Sequence, residues 1–444
     1  MARLSNPEIV RLIVREAQLI NSLVYIENID SFAKFVDGKN YFKILSQNDF
    51  EKYIYKYMIA TDIINQVNIT TNLVKDIAKQ MCWQLPNHAQ DVITPYVAIR
   101  DGVINLETFE IEEVDRSKNV FFFVNTTKEK IEKGCDKKGI WIKFLESVIV
   151  DEKGKTHQPT IKVMQEMFGY YLMNTLQGHT SFFLNGKGAN GKSVVLSVLR
   201  EMVGRDFTTT MTVQDLTTDQ FATSTLIGKK INICAEDESK FTRSDKFKAM
   251  ISGDDVTVRR MYKPGFSWIP TVKYIFSTND MPTFTGVGEA LLRRIKIVPF
   301  NYWIPKEKRI PYLEKKLVQD MGAIVAWSLE GAKRLTANNY QFSTSELMEG
   351  KLEEFKQNLS ASILFVSEQY KLSEDETIEE EDLYENYKVW CLKRGKKAQS
   401  YYRFKADIEG NVSVKTLTNE ITKIKSYLLK PIYGNLAEQE TAPF

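Results

Sequence analysis

Three short apolar runs punctuate the middle of the chain: Ser181–Asn185 (SFFLN), Ile231–Ala235 (INICA) and Val272–Thr278 (VKYIFST). Each is followed at once by glycine or polar residues, and each is too short for a buried helix, so strands are expected. Helical patterns lie between them, beginning with Ser193–Leu199 (SVVLSVL). Strand and helix in alternation from Ser181 to Phe300 predict an α/β domain. Upstream, helical periodicity covers Ile9–Leu23, Asp49–Gln66 and Glu166–Leu176. Pro86 and Pro95 interrupt that pattern, and the alternation in YVAIRDGVINLETFEI predicts a hairpin around Asp101-Gly102. Pro305 to Leu352 reads as helical.

Near residue 373 the composition shifts. Ser373–Glu385 carries eight acidic residues, whereas Asn386–Lys430 holds eleven Lys or Arg against three Asp or Glu. A linker is expected over 355–375 and a separate small domain after it. There Leu383, Tyr387 and Trp390 share one helix face, as do Phe404 and Ile408 on a second helix. VSVKTLT and KIKSYLL follow as two candidate strands of a β-wing, so a winged-helix DNA binder is expected. Its basic residues Lys396, Lys397, Arg403 and Lys405 are the candidate duplex contacts.

The remaining bulk properties exclude more than they identify. A chain of 444 residues with 43% hydrophobic and 26% charged content is an ordinary globular protein of two to four domains. The four cysteines show no C-x-x-C spacing and only three histidines occur, which argues against a zinc site or a disulfide framework and suits a reducing cytoplasm. No apolar run approaches membrane-spanning length, and MARLSNPEIV lacks the apolar core of a signal peptide. A net charge of +3 is too small to argue for nucleic acid by itself.

Chemistry enters at Gly186-x4-Gly191-Lys192-Ser193, a Walker A pattern placed between a predicted strand and a predicted helix. Gly186, Gly188, Asn190 and Gly191 would wrap ATP phosphates, with Lys192, Ser193 and Val194 opening the helix. Lys192 would sit on the outer phosphates and the Ser193 hydroxyl on Mg²⁺. The second strand ends in Glu236, Asp237 and Glu238, candidates for holding the metal and for polarising the attacking water. Glu236 and Asp237 are preferred, with their roles left open. The third strand ends in Asn279, which could orient that water, although TNDMP is also ordinary turn chemistry. Arg293 and Arg294 are either a surface pair or an arginine finger.

The ordered set GKGANGKS, ICAEDES, SGDDVTVRRMYKPGFSW, FSTND and EALLRRIKIVPF resembles the superfamily 3 (AAA+) helicases. It is similar above all to the helicase half of phage and plasmid primase-helicases, and to stand-alone replication initiator helicases of phages and staphylococcal pathogenicity islands. The match runs from about Val97 to Phe300, loosely through the C-terminal part, and little over the first ninety residues. The resemblance implies a P-loop AAA+ core at 178–305, preceded by a hairpin and helical collar at 98–177. An N-terminal domain of unknown role at 1–97, a helical extension at 306–354 and a winged-helix domain at 376–444 complete the expected organisation. It also implies a DNA-gripping hairpin with Val256–Tyr262 outgoing, Lys263-Pro264-Gly265 as the turn and Ser267–Ile269 returning. Lys263 would then touch phosphate, with Arg259 and Arg260 below it.

By the same resemblance the protein is a homohexameric ring moving 3′ to 5′ on single-stranded DNA, with Arg293 or Arg294 reaching a neighbour's ATP. Ninety N-terminal residues are too few for the upstream primase, so a helicase without primer synthesis is expected. It would start replication of a mobile element in the bacterial cytoplasm, binding duplex DNA and host replication proteins and no membrane. Two other readings stay open: a packaging or partition ATPase without strand separation, and a non-enzymatic origin binder.

Overall fold

The computed structural model describes the chain apart from residues 1–3, 21, 62–68, 91, 135–138, 238, 240, 260–263, 286–288, 359–360, 374, 412–415, 419–424 and 432–444. Its centre is a five-stranded parallel sheet: β1 (Ser181–Asn185), β2 (Thr208–Thr209), β3 (Ile231–Cys234), β4 (Lys273–Thr278) and β5 (Ile295–Pro299). The spatial order is β5-β1-β4-β3-β2. The central strands β1, β3 and β4 are buried along their whole length because each face meets its own core. Phe182 and Leu184 of β1 point into one hydrophobic cluster and Phe183 into the other. The chain is therefore a mixed α/β protein built on a parallel sheet.

The first ninety residues form their own layer. Strands Leu23–Ile26, Ser31–Val36, Tyr41–Ile44 and His88–Ala89 make a mixed sheet, and helices Asn6–Ile20, Gln47–Ala60 and Thr71–Gln84 cover it. Ser46 and Thr70 cap the second and third helices by accepting from Asp49 N–H and Leu73 N–H. The hairpin expected around Asp101-Gly102 pairs Tyr96–Ile99 with Gly102–Asn105.

Helix Gln158–Leu172 lies across helix Met321–Ala337 and ties the part before the sheet to the part after it. The crossing is close enough that a Cβ on Gly331 would sit 2.1 Å from the carbonyl oxygen of Gln165. Glu166, buried at the crossing, accepts from Arg334 Nε (2.6 Å) and from the Ser343 amide (2.7 Å). At the start of the sheet two lysines are fully buried beside the C-terminal end of helix Gln158–Leu172. Lys273 donates to the carbonyls of Tyr170 and Met173, and Lys230 donates to Asn174 Oδ1. Burial drives both far below the ordinary lysine range, and the carbonyls of a helix C-terminus are the groups that best offset that cost.

Two expectations need correction. The supposed linker over 355–375 is not one: Ala361–Gln369 is a helix, Tyr370–Leu372 a strand, and Phe365 is fully buried at the centre of the C-terminal core. That small core needs an apolar side chain from before the acidic run, because helices Glu380–Lys393 and Tyr401–Asn411 cannot close it alone. In the central hairpin the pairs run from Val256↔Trp268 to Arg259↔Gly265. Gly265 therefore begins the return strand instead of turning; Arg259 is the last described residue of the outgoing strand, and 260–263 lie outside the described residues.

Gly331→Ala places a methyl group against backbone, which cannot move aside as a side chain would. We expect a loss of about 1–3 kcal/mol, read as an earlier urea midpoint in the fluorescence of Trp141 and Trp327, which meet edge to face at this crossing.

Candidate nucleotide site

In-register pairing brings Asn185, Thr278 and Cys234 to one edge of the sheet, through Asn185↔Thr278 and Cys234↔Phe276. The glycine loop from Gly188 onward, Asn279 and Ala235-Glu236, which follow these strands, therefore face one cleft of about 1210 Å³.

The glycine loop is braced from behind. Asn190 is buried and its Nδ2 donates to Phe300 O (2.9 Å), while Ile304 N–H donates to Ala189 O (2.9 Å). Gly186 is required by this brace, since a Cβ would lie 2.3 Å from Phe300 O. Gly188, Gly191, Ser193 and Val194 all border the cleft. Helix Lys192–Val203 starts there with free amide groups, a ready anion site. The Lys192 ammonium is buried and donates to the carbonyl of Gly186. Burial lowers its pKa, and the nearby Glu236 carboxylate opposes that shift.

The acids divide. Glu236 is exposed to the cleft. Asp237 is buried, and its carboxylate accepts from Val213 N–H (3.0 Å) through Oδ2 and from Ser239 N–H (2.8 Å) through Oδ1. Its peptide groups are held as well, by Ser277 O (2.8 Å) and Thr278 Oγ1 (3.0 Å). Asp237 borders the cleft, and each of its carboxylate oxygens serves one backbone amide. Glu238 lies outside the described residues. Asn279 lines the cleft, its carbonyl held by Asn185 Nδ2 (2.9 Å).

A magnesium ion keeps most of its waters and binds through one or two protein groups plus substrate phosphates. The Ser193 hydroxyl and the Glu236 carboxylate, both on this cleft, are a donor set of that kind.

Arg293 and Arg294 do not join this edge. Ser181 N–H donates to Arg294 O (2.8 Å), which puts the pair at the N-terminal edge of β1. Four strand steps, roughly 13 Å, separate Ser181 from Asn185. The Arg294 side chain is occupied by Ser252 Oγ (2.8 Å) and Ala290 O (2.6 Å), while Arg293 is exposed.

Sequence reasoning missed the far end of the cleft. Ile140, Phe144, Ile304, Ile310 and Leu313 form an apolar slot, and Lys308 and Arg309 stand at its rim. Phe144 also presses on the loop, 3.0 Å from where a Gly191 Cβ would lie. The i, i+4 pair Ile140 and Phe144 was a readable apolar stripe, but nothing local says what it faces.

Of the candidate DNA contacts, Arg259 is exposed beside the Phe221 ring, 5.8 Å from its centroid. Arg260 and Lys263 lie outside the described residues. Lys396, Lys397 and Arg403 are exposed, and so is Tyr402, which is 82% exposed and was not anticipated. Lys405 forms an ion pair with buried Glu380 (2.8 Å), which also accepts from the hydroxyls of Tyr401 and Tyr427.

A bound phosphate restores the charge that burial disfavours on Lys192, so binding takes up a proton at alkaline pH. Nucleotide affinity is expected to fall as pH rises through the lowered Lys192 pKa, before an ordinary lysine would titrate. Lys192→Met should remove that proton uptake in calorimetry and weaken binding about 10- to 100-fold, the worth of one charge-assisted hydrogen bond.

Residues 184–294 match a protein family described only as a family of unknown function (DUF5906). A protein of Acanthamoeba polyphaga mimivirus named "Putative helicase L207/L206" is 31% identical over 151 residues, 31% of this chain. The chain spans 16% of that curated relative's length. Among solved structures, two apo forms of the NrS-1 C-terminal region align over 94% of this chain and 98% of theirs, with 10% identity and TM-scores of 0.48 and 0.47.

Proposed function

We propose that the chain is an ATP-driven DNA helicase of the superfamily 3 type, acting in replication. The observation that carries this reading is the meeting of glycine loop, Glu236 and Asn279 at one edge of a parallel sheet ordered β5-β1-β4-β3-β2, with a hairpin in the connection from β3 to β4. Similarity to the mimivirus protein named as a helicase supports it. The loop and the helix N-terminus hold the triphosphate, and the apolar slot of Ile140, Phe144, Ile310 and Leu313 takes the base. Ser193 and Glu236 are the residues that would hold Mg²⁺, which when bound would supply neutralisation of phosphate charge. Lys192 fixes the outer phosphates, and Glu236 and Asn279 align the attacking water. Arg293, exposed at the opposite edge, reaches the ATP of a neighbouring copy, so a ring of this chain, hexameric by resemblance, is the active form.

The hairpin supplies sequence-independent grip through Arg259, with Arg260 and Lys263 in the same connection. The three helices and paired strands after residue 361 form a winged-helix unit that contacts duplex DNA through Lys396, Lys397, Tyr402 and Arg403. With 361–431 as that unit and 178–305 as an AAA+ motor, the expected domain order stands as a proposal. Its setting, a mobile element replicating in a bacterial cytoplasm with host proteins, belongs to the same proposal.

A forked-duplex assay tests this directly. Wild-type protein is expected to unwind with ATP and Mg²⁺, Lys192→Ala to lose both hydrolysis and unwinding, and Lys263→Ala to keep hydrolysis but lose unwinding. Hydrolysis by wild type without any unwinding would sink the helicase reading in favour of a packaging or partition ATPase. Unwinding that survives Lys263→Ala would remove only the hairpin's role.

A further inference from the structure

Hydrolysis drives movement only if the acidic strand end and the hairpin are mechanically joined, and one segment of the chain touches both. Asn232, fully buried in the middle of β3, clamps the start of that segment. Its Oδ1 accepts from Met211 N–H (2.7 Å) and Thr209 Oγ1 (2.8 Å), and its Nδ2 donates to Met211 O (2.8 Å). Just beyond the strand, Asp237 Oδ2 takes the Val213 amide and Ser239 Oγ takes the Gln214 amide, each at 3.0 Å. These are the first amides of helix Val213–Thr218. Where that helix ends, the Asp219 carboxylate caps the next one, Gln220–Thr223, by accepting from Phe221 N–H (2.7 Å) and Ala222 N–H (3.0 Å). That short helix packs along hairpin strand Val256–Arg259, where the Arg259 guanidinium lies over the Phe221 ring.

Asp237 stands where this chain of contacts meets the nucleotide site. Its peptide N–H and C=O are held by Ser277 and Thr278, the two residues before Asn279, and it directly follows Glu236. The two side chains that face the phosphates are therefore both fixed to Asp237, with little slack. Any shift of that edge on nucleotide binding or hydrolysis must carry the first turn of helix Val213–Thr218 with it.

Resting on the helicase reading above, we propose that Asp237 is a positioning residue, not a catalytic one. It ties Glu236 and Asn279 to the Arg259 hairpin through the segment 211–223. A buried acid used only to hold a strand end would need neither the Val213 amide nor a capped second helix ending against the hairpin. The linkage works in both directions, so DNA on the hairpin sets the placement of Glu236 and thereby the hydrolysis rate.

The test compares ATP hydrolysis by the full chain with and without single-stranded DNA, together with affinity for a fluorescent ATP analogue. Asp219 and Phe221 are exposed or half exposed and stand away from the cleft. Asp219→Ala and Phe221→Ala are expected to keep nucleotide affinity, KM and DNA-free hydrolysis within about 2-fold of wild type, while DNA stimulation falls at least about 5-fold. Asp237→Asn should lower the ratio of stimulated to DNA-free rate, whereas Glu236→Gln lowers both rates together by about 100-fold or more. Stimulation unchanged in both Asp219→Ala and Phe221→Ala would overturn the linkage. Equal loss of both rates in Asp237→Asn, with the ratio kept, would make Asp237 catalytic and overturn its positioning role. A wild type that hydrolyses ATP but is indifferent to DNA would instead strike the helicase reading, and a wild type that hydrolyses nothing would strike the ATPase assignment beneath it.

Discussion

Strands in a parallel ladder all point one way, so their C-terminal ends share an edge and the residues that follow them are neighbours whatever their separation in the chain. Here that ladder places Gly188, Glu236 and Asn279 around one cleft although forty-eight residues and forty-three residues divide them. What protects the alignment is the pair of cores. Phe183 packs with Phe276 and Phe247 on one side, while Phe182 and Leu184 pack with Ile233 and Ile275 on the other. A slip of one residue in any strand would exchange the two sets and move the phosphate loop by about 3.3 Å against its acid. Packing in the sheet and geometry at the site are one constraint seen from two places.

The opposite edge of the sheet carries a different load. Lys230 just precedes β3 and Lys273 opens β4; Lys273 reaches the carbonyls of Tyr170 and Met173 at the end of helix Gln158–Leu172, and Lys230 reaches the side-chain oxygen of Asn174 just beyond it. Neither pairs with a carboxylate among the described contacts, and the rings of Phe122 and Tyr170 lie 4.4 and 4.2 Å from their ammoniums. Helix dipole and aromatic faces thus take the place of a counter-ion. The helix so anchored is the one crossed at Gly331, so the sheet, the collar before it and the helices after it meet at one point.

Much of this was legible in the sequence, for identifiable reasons. A glycine loop between an apolar strand and an amphipathic helix is a local signal, and so is the hairpin at Asp101-Gly102. The N-terminal sheet was not legible. Its strands have only two to six residues, and its edge strand His88–Ala89 comes from more than sixty residues beyond its neighbour Leu23–Ile26. The split between Glu236 and Asp237 was equally hidden, because it is made by the Val213 amide, which lies twenty-four residues earlier. The apolar slot draws on Ile140 and Leu313, from opposite sides of the parallel sheet in sequence, so no window could contain both. Phe365 reads as linker because the acidic run after it dominates the composition, while its burial depends on Tyr387, Trp390 and Phe404.

The two sheet edges together bear on how such a motor would be assembled. A single copy holds the glycine loop, Glu236 and Asn279 on one edge and its exposed Arg293 on the other, with the roughly 13 Å length of β1 between the two edges. Cation and phosphate cannot meet within that copy without dismantling β1, whose every residue is buried. In the proposed ring a second copy docked edge to edge would supply that charge with no internal rearrangement. In the proposed ring, then, the hydrolysis step would depend on the interface, and the interface would depend on Arg294 staying bound to Ser252 and Ala290 so that Arg293 alone projects. The rigidity of the sheet, which keeps the arginine from its own nucleotide, is what would make neighbouring subunits fire in turn.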